Sequence, residues 1–264
     1  MSNPYIEDFK PAEWRMAMNP VFEKQYEVGF NEADYDGMLR PVSILDWFQN
    51  TASSQSYALG IPVTDLIARG LTWVVSRYRI SIFKRSRWRD PVKVRTWRRP
   101  QLQDLSAPRE FEIIAADGSV LVQATGYFNL IEIKTKKIIS PIESIPNYPV
   151  LDKILYDYEA QLIGNVAEPD IVKIFDVRRS DLDMNKHVNN VNYVSWAIES
   201  VSDYVWENFW VSEIEVYFKK SAVYPDSVNV KTKKVSNDSK PEFLHCIKRE
   251  GVDLAFVKTV WTKR

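Results

Sequence analysis

The chain has 264 residues, 45% of them apolar and 27% charged, with 35 basic against 35 acidic side chains. That make-up buries a full core, which excludes disorder, and a net charge of zero excludes bulk electrostatic capture of nucleic acid. A single cysteine, Cys246, excludes an internal disulfide. His187 and His245, the two histidines, lie too far apart in sequence to build a Cys/His zinc site, so no metal or organic cofactor is expected.

In chain order, residues 1–20 read as an irregular leader. It carries Glu7, Asp8 and Glu13 and has no basic segment followed by an apolar one, so neither a signal nor a transit peptide is expected. No apolar run is long enough to span a bilayer, and the expected location is the cytoplasm. Phe22, Lys24, Tyr26 and Val28 alternate with outward residues, which predicts a strand. A polar loop with Asp34, Asp36 and Gly37 leads to Pro41, which suits the first turn of a helix. Ile44, Leu45, Trp47 and Phe48 then recur at helical spacing and predict a helix over 42–58. A helical turn follows near 63–69, then strands over 72–83, 90–98, 109–115 and 120–134. Pro141, Pro146, Pro149 and Pro169 mark a linker. Beyond it come a strand over 170–178, a polar loop, and a helix near 190–205.

The second half repeats the first. Ile80-Ser81-Ile82-Phe83-Lys84 lies over Val216-Tyr217-Phe218-Lys219-Lys220, and Asp90, Val92, Val94 and Thr96 lie over Asp226, Val228, Val230 and Thr232 at the same offset. Upstream, at a second offset, Tyr26, Val28, Asp34, Val42, Leu45 and Trp47 lie over Phe175, Val177, Asp183, Val191, Val194 and Trp196. Each unit is then a helix covered by an antiparallel sheet, and two such units pair edge to edge with their helices side by side. The expected division is a first unit over 1–140, a linker over 141–169 and a second unit over 170–264.

The repeat isolates the residues that carry chemistry. Asp183, Asn185 and His187 sit at alternate positions, which lets all three face one side of a loop. Histidine near neutrality takes a proton from water and returns it to a leaving group; the helix that follows offers free N–H groups to an oxyanion. Their first-half counterparts are Asp34, Asp36 and Met38, so only Asn185 and His187 are without an equivalent, and one active site is expected. Asn189 and Asn190 read as helix caps. Cys246 beside His245 looks like a dyad, but neighbours on a strand point to opposite faces.

The Asp183-Met184-Asn185-Lys186-His187-Val188-Asn189-Asn190 stretch closely resembles the second-half motif of the acyl-acyl carrier protein thioesterases. Tyr26-Glu27-Val28, Leu39-Arg40-Pro41, Ser76-Arg77-Tyr78-Arg79-Ile80 and Val94-Arg95-Thr96-Trp97 extend the resemblance over residues 20–264. It implies an α+β double hotdog, two antiparallel sheets each wrapping a central helix, and hydrolysis of a fatty acyl thioester on acyl carrier protein. An acyl-CoA thioesterase, a non-catalytic acyl-binding protein of the same fold and a dehydratase are the alternatives. Plant members carry Glu-Cys where this chain has Lys219-Lys220-Ser221-Ala222, so a cysteine nucleophile is excluded there. Water activated by His187 or by a carboxylate is expected to attack directly. Asp183 and Glu199 are both candidates for the carboxylate, and Ser221 for a supporting hydrogen bond. The acyl chain is expected between the first helix and its sheet, near Ile44, Trp47 and Phe48. Residues 77–99 are strongly basic, and Arg85, Arg87 and Arg89 are the expected docking surface for the acidic carrier. A homodimer stays open, since the two fused units already form a pseudo-dimer.

Overall fold

The computed structural model describes residues 19–103, 105–156, 164–236 and 239–264. The leader expected over 1–20 lies outside these residues up to residue 18. The first strand, β1 (Phe22–Glu27), alternates half-buried and exposed side chains. Helix α1 (Pro41–Ala58) opens on Pro41, where a missing N–H breaks no helical bond, and buries Ile44, Leu45, Trp47 and Phe48 along one face. After α2 (Val63–Ala68) come β2 (Leu71–Ile82), β3 (Pro91–Arg98), β4 (Ala107–Ala115) and β5 (Val120–Glu132). The connection holds β6 (Ile138–Ile139) and α3 (Pro141–Ser144). The second half runs β7 (Ile171–Asp176), α4 (Asn190–Glu199), α5 (Asp203–Asn208), β8 (Phe209–Phe218), β9 (Ser227–Ser236), β10 (Glu242–Arg249) and β11 (Val252–Lys263).

All the strands join one antiparallel sheet in the order β1-β3-β4-β5-β2-β8-β11-β10-β9-β7, with β6 beside β5. The second five strands repeat the first five in mirror order. The seam is β2 against β8, where Tyr78 faces Val216, Arg79 faces Glu215 and Ile80 faces Ile214. The sequence repeat lays Arg79 over Glu215, and these two sit opposite each other while their neighbours exchange partners. A pseudo-two-fold axis therefore passes between them. The two wrapped sheets are thus fused along one edge, and α1 packs against α4. A single apolar core runs across both halves, from Phe48 and Phe111 to Val194 and Val257.

Two expectations change. The helix expected over 190–205 is two helices. Ser200 turns its hydroxyl back to the Ala197 carbonyl, 2.7 Å away, and meets Thr232 and His245 on the sheet, so α4 stops at Glu199 and α5 restarts at Asp203. The described parts of the linker are also packed. Trp97 donates its indole N–H to the Lys153 carbonyl at 2.9 Å, Tyr156 donates to the Gln123 carbonyl at 3.2 Å, and Val166 is buried with Cys246 and Phe256. Its prolines make the segment irregular; its side chains still anchor it.

Among the described glycines, Gly126 on β5 has the least room for a side chain. A methyl group there would lie 2.5 Å from the Tyr78 ring and 2.8 Å from the Phe128 ring. Gly126→Ala is expected to destabilise the protein by about 1–3 kcal/mol through overpacking, read as a lower urea midpoint at unchanged slope.

Candidate active site

The loop between β7 and α4 is built from its own hydrogen bonds. Asp181 is 3% exposed and accepts the Arg178 N–H at 2.7 Å, while its carbonyl takes the Asn189 N–H at 2.8 Å and the Asn192 amide at 3.0 Å. Leu182 and Val188 then pair as an antiparallel bridge. Inside the bridge the chain reverses: the Asp183 N–H donates to the His187 carbonyl at 2.8 Å, with Lys186 in the left-handed region at φ 61°. The Asp183 Oδ1 accepts the N–H groups of Asn185 (2.8 Å) and His187 (3.3 Å), so this carboxylate braces the turn. Asn185 is exposed and His187 half-buried, and neither side chain is hydrogen-bonded among the described residues.

Asn189 caps α4, its Oδ1 accepting the Val191 N–H at 3.2 Å and its carbonyl the Asn192 N–H at 2.9 Å. That leaves the Asn190 N–H, at the first helical position, without an acceptor among the described residues. The segment after β8 is pinned to the same place. Val188 donates to the Ala222 carbonyl at 3.0 Å, and the Ala222 N–H donates to the Tyr193 hydroxyl oxygen at 2.7 Å. Burial pushes that phenol up, so it stays neutral. Exposed Ser221 precedes Ala222, the residue bonded to Val188, the neighbour of His187 in the chain. Glu199 is not: it is exposed at the far end of α4, about 13 Å along the axis from Asn190, with its carbonyl taken by Lys173 Nζ.

The first-half loop makes the same turn. Asp34 N–H donates to the Met38 carbonyl at 2.7 Å, and Gly37 takes the left-handed position at φ 74°. It is closed, however. Arg85 donates to Asp36 at 2.6 Å, Arg264 pairs with the same carboxylate, and Tyr35 stacks on Trp206 at 4.5 Å. Burial alone would raise the Asp36 carboxyl, but the bonds from Arg85 and the Met38 N–H and the charges of Arg85 and Arg264 hold it below the ordinary range. Pro41 stands where the second half has Asn190 and has no N–H to offer.

A cavity of about 440 Å³ lies between α1 and the first-half sheet, and the second-half loop forms part of its wall. Asp183, Met184, Asn185 and Asn190 line it together with Gln49, Ser53 and Ser56 of α1. On the sheet side its wall is formed by Tyr78, Arg98, Ala107 and Arg109. Met184, Asn185, Gln49 and Ser53 are exposed, whereas Tyr78, Arg98, Ala107 and Arg109 are buried, so the cavity runs from an open end at the loop to a closed end in the sheet. Ile44, Trp47 and Phe48 do not line it; they are core, at 2%, 1% and 0% exposure. Apart from Leu45, which reaches the cavity, the apolar stripe of α1 faces the interior, and the helix's small and polar face lines the cavity. Gln49 and Ser53 escaped the sequence reading because polar positions on a helix read as solvent-facing; their spacing of four residues was the available sign.

At least half of the ten basic residues over 77–99 are ion-paired among the described residues. Arg85 has a 9% exposed side chain and holds Asp36, Arg89 pairs with Glu27 at 3.1 Å, Lys93 and Arg95 with Glu23, and Arg99 with Glu110. Of the three docking candidates only Arg87 is exposed with no ion pair among the described residues. The compensating acids come from other strands and loops. His245 and Cys246 do point to opposite faces: His245 meets Ser200, Thr232 and Thr259, and Cys246 packs with Val166 and Phe256.

Comparison with known proteins matches this architecture over both halves. Among curated relatives, the chain is 24% identical to the chloroplastic dodecanoyl-[acyl-carrier-protein] hydrolase of Cinnamomum camphora, over 94% of this chain and 73% of that one. It is 25% identical to oleoyl-acyl carrier protein thioesterase 2 of Arabidopsis thaliana, over 78% of this chain and 59% of the relative. Its fold superposes with a TM-score of 0.82 on the 12:0-ACP thioesterase of Umbellularia californica, at 19% identity and covering 92% and 94% of the two chains. An acyl-ACP thioesterase of Bacteroides thetaiotaomicron gives 0.81 at 19% identity, covering 92% and 98%. These neighbours share the double hotdog fold. The acyl-ACP thioesterase N-terminal domain matches residues 19–146 and the C-terminal domain residues 165–263, so the chain belongs to the acyl-ACP thioesterase family.

Proposed function

We propose that the protein hydrolyses the thioester of a fatty acyl chain carried on acyl carrier protein, with the acyl chain in the first-half cavity and the chemistry on the second-half loop. The observation that carries this reading is that Asp183, Asn185 and Asn190 line the open end of an otherwise first-half cavity. The acyl carbonyl sits at that end. His187, whose imidazole has no partner to satisfy among the described residues, takes a proton from water as the water attacks the carbonyl carbon. The oxyanion is met by the Asn190 N–H and the Asn185 amide. Collapse of the tetrahedral intermediate expels the thiolate, which His187 protonates. Asp183 holds the turn; its Oδ1 already accepts two N–H groups.

The first test is a hydrolysis assay with matched acyl-carrier and acyl-CoA thioesters. Faster turnover of the carrier form is expected; cleavage of CoA esters alone would move the protein to the acyl-CoA thioesterases, and cleavage of neither would leave a binding protein. A second test separates base from brace. Asp183→Asn keeps an acceptor oxygen for both N–H groups and should stay within about threefold of wild-type kcat, with stability changed by less than about 0.5 kcal/mol. Asp183→Ala should lose the turn, with about 1 kcal/mol of stability and most of the activity. A folded Asp183→Asn protein as slow as a His187 variant would make the carboxylate the base.

A further inference from the structure

The closed end of the cavity holds a cation with too few partners. Arg98 ends β3, is 4% exposed and lines the cavity wall. Its Nε and Nη1 are buried and have no hydrogen-bond acceptor among the described residues. The guanidinium lies against the rings of Trp73, at 5.2 Å, and Tyr148, at 4.8 Å, which supply a π face but no oxygen in bonding contact. Directly opposite on β4 stands Arg109, 7% exposed. Its donors go to neutral groups: Gln55 Oε1 at 2.5 Å, Thr96 Oγ1 at 3.2 Å and the Tyr148 hydroxyl at 2.5 Å. Among the described residues neither arginine has an ion pair, and the one carboxylate on the cavity wall, Asp183, is at the open end.

Two adjacent buried cations with no counter-ion among the described residues are an unfavourable arrangement unless a ligand supplies the charge. Burial, aided by Arg109 and opposed by Tyr148, pushes the Arg98 guanidinium down to about 10, still charged at neutral pH. A methyl-ended chain filling the cavity would strip water from the fork and give nothing back. A carboxylate offers two oxygens in the geometry the guanidinium fork fits, and it cancels the charge. We propose that Arg98 is the recognition site for a carboxylate at the far end of the bound acyl chain. The preferred substrates are then acyl thioesters whose distal end is a carboxylate rather than a methyl group. This rests on reading the cavity as the acyl site.

The test measures binding, so that it does not depend on turnover. Straight-chain alkanoates and the 1-alkanols of equal length are titrated calorimetrically into the whole protein. Wild type is expected to bind the alkanoate about 10- to 100-fold more tightly than the alkanol. Arg98→Met should abolish the difference, and Arg98→Lys, which keeps the charge without the fork, should retain part of it; circular dichroism checks that each is folded. A wild-type ratio near one overturns the proposal. So does a preference that survives Arg98→Met but disappears in Asn185→Ala, since the carboxylate would then sit at the loop. Hydrolysis is scored separately. An Arg98-dependent preference in a protein that cleaves no thioester sinks the thioesterase reading and leaves the carboxylate site standing. Turnover of methyl-ended thioesters with no such preference does the reverse.

Discussion

Replacing His187 by alanine is expected to lower kcat on acyl-carrier thioesters by about 10²–10⁴-fold while leaving the protein folded. The fold should survive because the imidazole holds nothing in place. Among the described residues it makes no hydrogen bond, it is half-buried, and the turn around it is held through backbone groups and Asp183. A side chain of that kind changes stability by less than about 0.5 kcal/mol when removed. The loss should fall on kcat more than on KM, since the acyl chain is held by the cavity and not by the imidazole. Asn185→Ala should cost about 10²–10³-fold, the size expected for one oxyanion donor. Thermal melts and steady-state kinetics on the same preparations separate the two effects. A His187→Ala protein that is folded and fully active would move the chemistry elsewhere.

How much of this site the sequence carried depends on the kind of information each residue needs. The turn around Asp183 was legible because it is local, and because the first half writes it again with Asp34, Asp36 and Met38. Edge-to-edge pairing of the two units was expected, but which strands meet was not; the repeat offset of β2 and β8 coincides with a register that puts Arg79 opposite Glu215. What stayed hidden was set across strands. Arg98 read as one more member of a basic surface run, yet it is buried, because even-numbered positions on β3 turn toward the helix. Arg85 and Arg89 read as free because Asp36 and Glu27 lie far off in sequence. The stripe of α1 correctly gave the core, but apart from Leu45 the cavity uses the helix's other face. Ser200 read as an ordinary helix residue, and nothing local disclosed that Thr232 and His245 wait for its hydroxyl on the sheet.

That same cluster sets the acid stability of the fold, and lowering the pH from about 7.5 to about 5 is expected to cost about 2 kcal/mol through His245 alone. The ring is fully buried. Its Nδ1 lies 2.9 Å from Thr232 Oγ1 and 3.1 Å from Ser200 Oγ, and its Nε2 lies 3.0 Å from Thr259 Oγ1. Thr259 already accepts the Trp261 indole N–H, and Ser200 already donates to Ala197. The assignment that satisfies every group puts the ring proton on Nδ1 and lets Thr259 donate to Nε2. A second proton would fall on Nε2, against that donor and with no carboxylate bonded to the ring among the described residues. Burial accordingly pushes the imidazole from its ordinary 6.5 down to about 3. Below pH 6.5 the unfolded chain takes a proton that the folded ring refuses, so this contribution is present above that pH and is lost as pH falls toward 3. The slope is at most about 1.4 kcal/mol per pH unit. The carboxylates held low, such as Asp36 and Asp226, act at lower pH, and Glu110, raised by burial, acts in the opposite sense. His245→Gln keeps a donor and an acceptor but does not titrate. Urea melts of both proteins at the two pH values should show the wild type losing about 2 kcal/mol more than the variant. His245→Ala, which opens a hole in the second-half core, should cost about 2–5 kcal/mol at neutral pH. Equal pH slopes in wild type and His245→Gln would mean that the buried ring is not what acid attacks.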